Sequence, residues 1–458
     1  MQRLATDLEN SIELTKPVAN SHSLLRAWVV CLFASLFFFY EFIQLNMFNA
    51  ISSQLMQTFH IDATELGRLS SFYFISNVAF LFVAGMLLDR FSTRKIILTA
   101  LGICIVGTAL FSTTTSILWA SVFRFMTGIG SAFCFLSVIR LSTRWFPAKH
   151  LALVTGVIVT MAMIGGMVAQ TPLALLAQAV EWRNALLIDA CFGVIIFAII
   201  WFGVKDYPSS HKKQHALEQQ HIHDMGYWKS LGLAFLKIHN WLGGIYTCLM
   251  NLPIGLLGSI WGVLFLMDTH GMSKVAASYI TSMLFFGTII GGPFVGWLSD
   301  KMGRRKIPMI IGSVMSLGLI LVVMLAPHLA FYTLMLMFLL LGITTSTQII
   351  GYPVVAENSI PAITAMSVSV VNITTMGGYA VFQPFFGRLM DLHARNLHHT
   401  VGVYTASDFN WAMLIFPIGF VVALLASFCL RETHCQSREE PATIQTAQNK
   451  DVECTLGS

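Results

Sequence analysis

Long apolar runs alternate along the chain with short polar or charged breaks. The runs lie near 27–49, 66–88, 96–115, 117–140, 152–176, 184–203, 241–268, 277–299, 307–326, 329–352, 363–390 and 410–430. A helix of roughly 20 apolar residues crosses a hydrocarbon core, and backbone in lipid must satisfy its own hydrogen bonds, so runs of this length predict spanning helices rather than barrel strands. The expected fold class is therefore an all-α membrane protein of twelve transmembrane helices. A polar stretch with Lys205, Lys212, Lys213, Lys229 and Lys237 divides them into two bundles of six. The pattern predicts a tail over 1–26, a bundle over 27–203, a linker over 204–238, a second bundle over 239–430 and a tail over 431–458.

Composition sharpens this. Of 458 residues, 56% are hydrophobic and only 11% charged, with mean hydropathy +0.72. Such a chain cannot hide its apolar side chains inside a water-soluble globule, so lipid must be its principal solvent. The +5 formal charge is modest and falls in short clusters between runs, which reads as orientation signal and not as a nucleic-acid surface. Arg90, Arg94, Lys95, Arg140, Arg144, Lys149, the linker lysines, Lys301, Arg304, Arg305 and Lys306 fall on one side, predicting both termini cytoplasmic; Glu357, with no basic neighbour, is a local exception. The polar start, with Asp7, Glu9 and Glu13, fits a cytoplasmic tail better than a cleaved signal peptide. The eight cysteines form no CxxC pair and predict no disulfide framework. No Walker loop, GxSxG elbow, HExxH helix or dinucleotide turn is present, so ATP-driven pumping and common enzyme chemistries find no support, and no cofactor is expected.

The halves repeat. Gly85-Met86-Leu87-Leu88-Asp89-Arg90, followed by Arg94-Lys95, recurs as Gly296-Trp297-Leu298-Ser299-Asp300-Lys301, followed by Arg304-Arg305-Lys306, at an offset of 211. Gly165-Gly166 with Pro172 recurs as Gly377-Gly378 with Pro384 at an offset of 212. Gly85 and Gly296 let neighbouring helices approach, while Asp89 and Asp300 can meet a helix N-terminus or a basic neighbour. We therefore expect Gly85, Asp89, Arg90, Arg94, Gly296, Asp300, Arg304 and Arg305 to gate as well as orient.

On these residues the chain resembles the major facilitator superfamily, whose G-x-x-x-D-R-x-x-x-R-[RK]-like loop follows the second helix and recurs after the eighth. Arg124-Phe125-Met126-Thr127-Gly128-Ile129-Gly130 is similar to the family's R-x-x-x-G-x-G element in the fourth helix, and Arg144-Trp145-Phe146-Pro147 enters the fifth. The resemblance implies two six-helix bundles around a central cavity that opens alternately to either side, in a bacterial inner membrane, in a form that is usually monomeric. Ala169-Gln170 stand where antiporters of the family carry a glycine-proline pair, which favours import over drug export.

Charges at membrane depth are costly and mark function by default. Glu41 in the first run and Arg124 in the fourth are expected at one depth, roughly 10–12 Å below the outer surface at 1.5 Å per residue. They are read either as a structural ion pair or as a working site in which Arg124 holds a carboxylate and Glu41 accepts an ammonium or a proton. Asn46, Tyr73, Gln170, Tyr246, Asn251, Gln348, Asn372 and Gln383 are further polar candidates, each read first as a helix-to-helix hydrogen bond and second as a substrate contact. Asn77, Tyr352 and Tyr379 share that ambiguity. Pro253 takes the place of Glu41 in the second half, near Asn251, and predicts a broken helix. Asp189 is expected nearer the outer surface as a cap or local pair. His211, His215, His221 and His223, and Asp391, His393, His398 and His399, are read as solvated loop groups, with no metal site.

The resulting expectation is a proton-coupled symporter, in contact with lipid, a small solute and protons, that takes up a carboxylate-bearing solute. A buried acid and base suit an amino acid or short peptide, and the chain resembles amino-acid transporters of intracellular proteobacteria and, more loosely, lysosomal dipeptide carriers. Gly130-Ser131 departs from the latter's glycine-glutamate step. The alternatives are an organic or sugar acid symporter, a siderophore or drug exporter, and a non-transporting sensor.

Overall fold

The computed structural model describes residues 21–146, 150–207, 232, 234–326, 329–359, 364–397 and 404–435, without the side chains of 21–24, Asp89, Arg90, Ala152 and Ala365. The linker histidines, Lys149, Lys212, Lys213, Lys229, His398, His399 and the gating side chains of Asp89 and Arg90 lie outside the described residues.

Among these, all regular structure is helical. The first half comprises α1 (Ser21–Phe59), α2 (Ala63–Arg90), α3 (Thr93–Thr113), α4 (Ile117–Ser131), α5 (Cys134–Trp145), α6 (Leu151–Val168) and α7 (Thr171–Gly203). The second comprises α8 (Ile238–Met250), a π-helical stretch Pro253–Trp261, α9 (Gly262–His270), α10 (Lys274–Met302), α11 (Lys306–Leu325), α12 (Phe331–Thr345), a 3-10 turn Ser346–Ile350, α13 (Gly351–Glu357), α14 (Thr364–Asn396), α15 (Ala406–Met413) and α16 (Ile415–Cys429). Nine helical stretches among the described residues are long and apolar enough to cross a membrane, or ten if Ile238–His270, bent by 40° at Pro253, counts as one. Large apolar side chains such as Leu118, Phe202, Leu325 and Ile418 stand exposed around them, as a lipid-facing surface requires.

Two of the expected runs, 152–176 and 184–203, are joined in one apolar stretch, Leu153–Gly203. Its contacts with α1 show that it turns back. Ala177 accepts a hydrogen bond from Gln54 and Trp182 donates to Thr58, near the end of α1, whereas Asp189 then meets Gln44 and Gly203 packs on Phe33. The reversal falls at Glu181, whose φ of 65° breaks the helix.

The first expected run, 27–49, is too short. The helix continues past the polar residues Ser52, Ser53 and Gln54 to Phe59. Ser52 and Leu55 are buried there, and Gln54 bonds to other helices. Glu41 consequently lies eighteen residues from the end of α1, about 27 Å at 1.5 Å per residue, farther from that end than the sequence reading placed it.

The halves are joined toward the end that carries Phe59, Ala63, His270 and Asn396. There the Ala63 amide donates to the Tyr404 hydroxyl (2.8 Å), while the Thr64 amide (2.8 Å) and hydroxyl donate to Asp391. Asn49 accepts from the Val263 amide (2.9 Å) and Gln54 from Lys274 (3.0 Å). Gln170 donates to the Gly258 carbonyl (2.7 Å) and accepts from Thr281 (2.9 Å). α2 and α14 touch backbone to backbone: Gly67 faces Gln383 and Pro384, and Gly387 faces Ala63. Asp391, read from sequence as a solvated loop group, is thus a buried residue of this seam, where it supplies acceptors to the free amides at the start of α2. Asp391→Asn replaces one acceptor oxygen by a donor amide facing donors. It is expected to shift the seam toward separation by about 5- to 150-fold, read as a longer distance between spin labels at the start of α2 and the end of α14.

At the opposite end the staples close within each half. Asp206, three residues past α7, accepts from the Arg94 amide (2.8 Å) and the Ser92 hydroxyl (2.5 Å) at the start of α3. Glu432, three residues past α16, accepts from the Arg305 (2.7 Å) and Lys306 (3.0 Å) amides at the start of α11. Burial works against the Glu432 charge, but these amides hold its carboxyl below the usual carboxylate range. Arg305 also pairs with Asp300 (2.6 Å) and Glu357 (2.7 Å). Glu357, an exception when basic residues are counted for orientation, is therefore a pairing partner. Asp300 meets a basic neighbour as expected, whereas a side chain at Gly296 would find open space, so no close helix approach occurs there in this conformation.

Candidate functional site

The charged centre of the first half is built on glycines. Gly128 lets α4 press against the Tyr73 carbonyl of α2, and Gly130 lets it press against the Ala100 carbonyl of α3. A side chain at either position would collide with backbone, so the R-x-x-x-G-x-G spacing fixes Arg124, one turn before Gly128, beside Tyr73.

Glu41 and Arg124 are 2% and 0% exposed. They share a site without pairing directly, and Tyr73 mediates between them. Its hydroxyl donates to Glu41, while its ring face lies 4.4 Å from the Arg124 guanidinium carbon. The Cys104 thiol donates to the other Glu41 oxygen at 3.4 Å. Arg124 stacks on Phe48 at 4.6 Å, gives one terminal nitrogen to the Gln44 carbonyl at 2.8 Å, and leaves Nε and the other terminal nitrogen without a partner. Adjacent unpaired donors on a buried guanidinium form a fork that matches a carboxylate, sulfonate or phosphate. Leaving them unpaired costs roughly 1–3 kcal/mol each, so the arrangement is poor as architecture and good as a receptor.

The other candidates divide by location. Tyr73 joins Leu45, Phe74 and Tyr379 in a small apolar cluster between the halves, where Phe74 and Tyr379 meet edge to face at 5.2 Å. This places Glu41 and Arg124 next to the midline. Gln383 donates to Gly255 and Ser259 and keeps an unpartnered buried oxygen; Asn251 likewise keeps its side-chain oxygen unpartnered. Asn46 donates to Phe42 in its own helix, with its oxygen free. Tyr246 is fully used by Met309 and Thr347 inside the second bundle, and Gln170 is a link of the seam. Gln348 is buried and Asn372 half-buried. Asn77 donates to Ser131 and keeps its buried side-chain oxygen unpartnered. Asp189 is neither a surface cap nor a local pair. It is buried and accepts from the Gln44 side-chain amide on α1 at 2.5 Å, while Thr108 donates to the side-chain amide oxygen of Gln44 at 2.7 Å.

Sequence reading overlooked Gln44, Phe48 and Cys104. Gln44 was the legible one, since a glutamine three residues after a buried glutamate in an apolar run shares its helix face. His393 pairs with Asp408 at 2.7 Å, and no group of three potential metal ligands forms among the described residues.

The sequence model of the Major Facilitator Superfamily matches residues 32–362 and 244–451. The chain is 22% identical over 306 residues to "Probable sulfoacetate transporter SauU" of Cupriavidus necator, covering 62% of this chain and 68% of that one. It is 24% identical over 301 residues to "Membrane sensor protein UhpC" of Salmonella typhimurium, covering 61% and 64%. The chain thus spans about two thirds of the length of these relatives. Among solved structures, a bacterial homolog of the human lysosomal transporter Spinster, in an inward-facing and unoccupied conformation, superposes with a TM-score of 0.69 at 19% identity, covering 88% of this chain and 98% of that one.

Proposed function

The chain belongs to the Major Facilitator Superfamily, and on that premise we propose that it carries a small anionic solute across the membrane by alternating access of two six-helix bundles. It is a multi-pass membrane protein and not an enzyme. In this reading the seam at Gly67 and Gly387 is the outer gate, shut, and the end stapled by Asp206 and Glu432 faces the cytoplasm of a bacterium. The single observation that carries the reading is Arg124, buried beside the midline with two donors unpartnered.

The solute bears a carboxylate or similar oxyanion that takes those donors bidentately. An organic acid stands ahead of the amino acid or peptide favoured by composition of the site alone, because both Glu41 oxygens are already occupied by Tyr73 and Cys104 and offer little to an ammonium. The likeness to a protein named for sulfoacetate supports an acid. Glu41 serves as the proton-responsive partner. When an anion engages Arg124, the carboxylate loses its nearby cation and its affinity for a proton rises, which couples the two in one direction of flux.

A thermal-shift panel of organic acids, sugar acids, amino acids and dipeptides identifies the class, and stabilisation by neutral sugars equal to that by acids would overturn the Arg124 reading. Glu41→Gln in proteoliposomes is expected to cut pH-driven accumulation at least about tenfold while sparing counterflow, which needs no net proton movement. Intact accumulation would remove Glu41 from the coupling. The sensor reading, kept alive by the likeness to UhpC, predicts binding without any counterflow.

A further inference from the structure

The first half holds a second buried carboxylate that this reading does not use. Asp189 on α7 is enclosed within the bundle, and its one hydrogen-bond donor is the side-chain amide of Gln44. Gln44 is engaged three ways. Its amide nitrogen goes to Asp189, its amide oxygen accepts from Thr108, and its backbone carbonyl accepts from Arg124. One residue of α1 therefore touches both the anion receptor and the carboxylate.

The ionisable groups around Asp189 are few. α1 brings Tyr40, within electrostatic reach of Asp189 and Glu41, and Glu41 itself. α3 brings Cys104, α4 brings Arg124, and α6 carries no ionisable residue over Leu151–Val168. α10 begins with Lys274, held by Gln54, and the exposed Tyr279. None of these is a cation in contact with the Asp189 carboxylate. A carboxylate enclosed with one neutral donor and no counter-ion is held as the charged form only at high cost, which favours the protonated acid.

We infer that Asp189 is a second proton-binding site of the transport cycle, linked to the anion receptor at Arg124 through Gln44. This rests on the reading of Arg124 as the anion site. An anion that draws Arg124 toward itself pulls on the Gln44 peptide and loosens the amide from Asp189, and its own negative charge acts in the same sense. Both effects raise the proton affinity of Asp189 when solute binds, so solute and proton load together. With Glu41 and Asp189 both loaded, a monoanion travels with two protons and one net positive charge.

The test needs no solute. Infrared titration of the purified protein in lipid follows the protonated-carboxyl C=O stretch. The wild type is expected to show two titrating components, with Asp189→Asn removing one and Glu41→Gln the other. Gln44→Met, which keeps the backbone carbonyl for Arg124 but deletes the amide donor, is expected to move the Asp189 component upward by about one to two pH units and leave the Glu41 component in place. If Asp189→Asn removes no titrating component, or Gln44→Met leaves it unmoved, the inference is overturned. Failure of the Glu41 and Arg124 reading is separately visible: Glu41→Gln would then remove nothing, while the Asp189 component persisted.

Discussion

Arg124→Met is expected to abolish solute-dependent counterflow and, in the same protein, to raise the melting temperature. The two effects have one cause. Arg124 is fully buried, and two of its donors have no partner. Replacing it with an apolar chain of similar length removes two unpaired donors that each cost roughly 1–3 kcal/mol, and the neighbouring Glu41 carboxyl can answer the loss of the cation by taking up a proton. The Gln44 carbonyl lies within a helix, and so keeps a backbone partner when the guanidinium is gone. Arg124→Lys tests the geometry instead of the charge. A lysine can reach one acceptor but cannot present a planar fork, so binding is expected to weaken by about 10- to 100-fold with the charge retained. Were Arg124 a structural element, Arg124→Met would lower the melting temperature and spare transport, and calorimetry run beside counterflow decides between the two.

Gly67→Ala is expected to stop transport by preventing the seam from closing. A β-carbon at this position would lie 2.6 Å from the Gln383 carbonyl oxygen and the Pro384 α-carbon, well inside van der Waals contact. Both are backbone atoms of α14, and Pro384 limits how far that backbone can adjust. No rotamer change relieves the clash, so the relief is separation of the helices at this end. Transport should fall by two orders of magnitude or more, since about 3 kcal/mol against the closed state leaves it populated below about 1%. Cysteine labelling at Thr64 would report increased access. A fully active Gly67→Ala protein with unchanged labelling would show that α2 and α14 need not meet so closely.

What could be read from the sequence followed from how local each signal was. Apolar runs located the helices because lipid imposes the same demand on every span, whereas the repeated loop is a feature of the sequence alone. Glu41, Arg124 and Tyr73 were legible individually as polar groups at membrane depth. Their relation was not. A direct pair was one of two sequence readings, and the structure instead inserts Tyr73 between acid and base and gives Arg124 to Gln44. Helix length was harder to read, since polar residues such as Gln54 look like an end when their partners, Ala177 and Lys274, are distant in sequence. Gln170 has the same character. Its bonds to Asn49, Gly258 and Thr281 depend on how the two halves dock, and no periodicity encodes that.

The makeup of the seam has a bearing on the habitats such a protein can tolerate. Its joints are amides, hydroxyls and touching main chains, with the buried Asp391 carboxylate and the Lys274 ammonium each bonded to neutral partners, and its one described charge pair across the halves, Arg395 with Asp62, is long at 3.8 Å with Arg395 exposed. Dissolved salt shields exposed charges over about 10 Å at 0.1 M but barely affects short hydrogen bonds and steric fit. The contacts of this seam should therefore hold with much the same strength in dilute water and in brine.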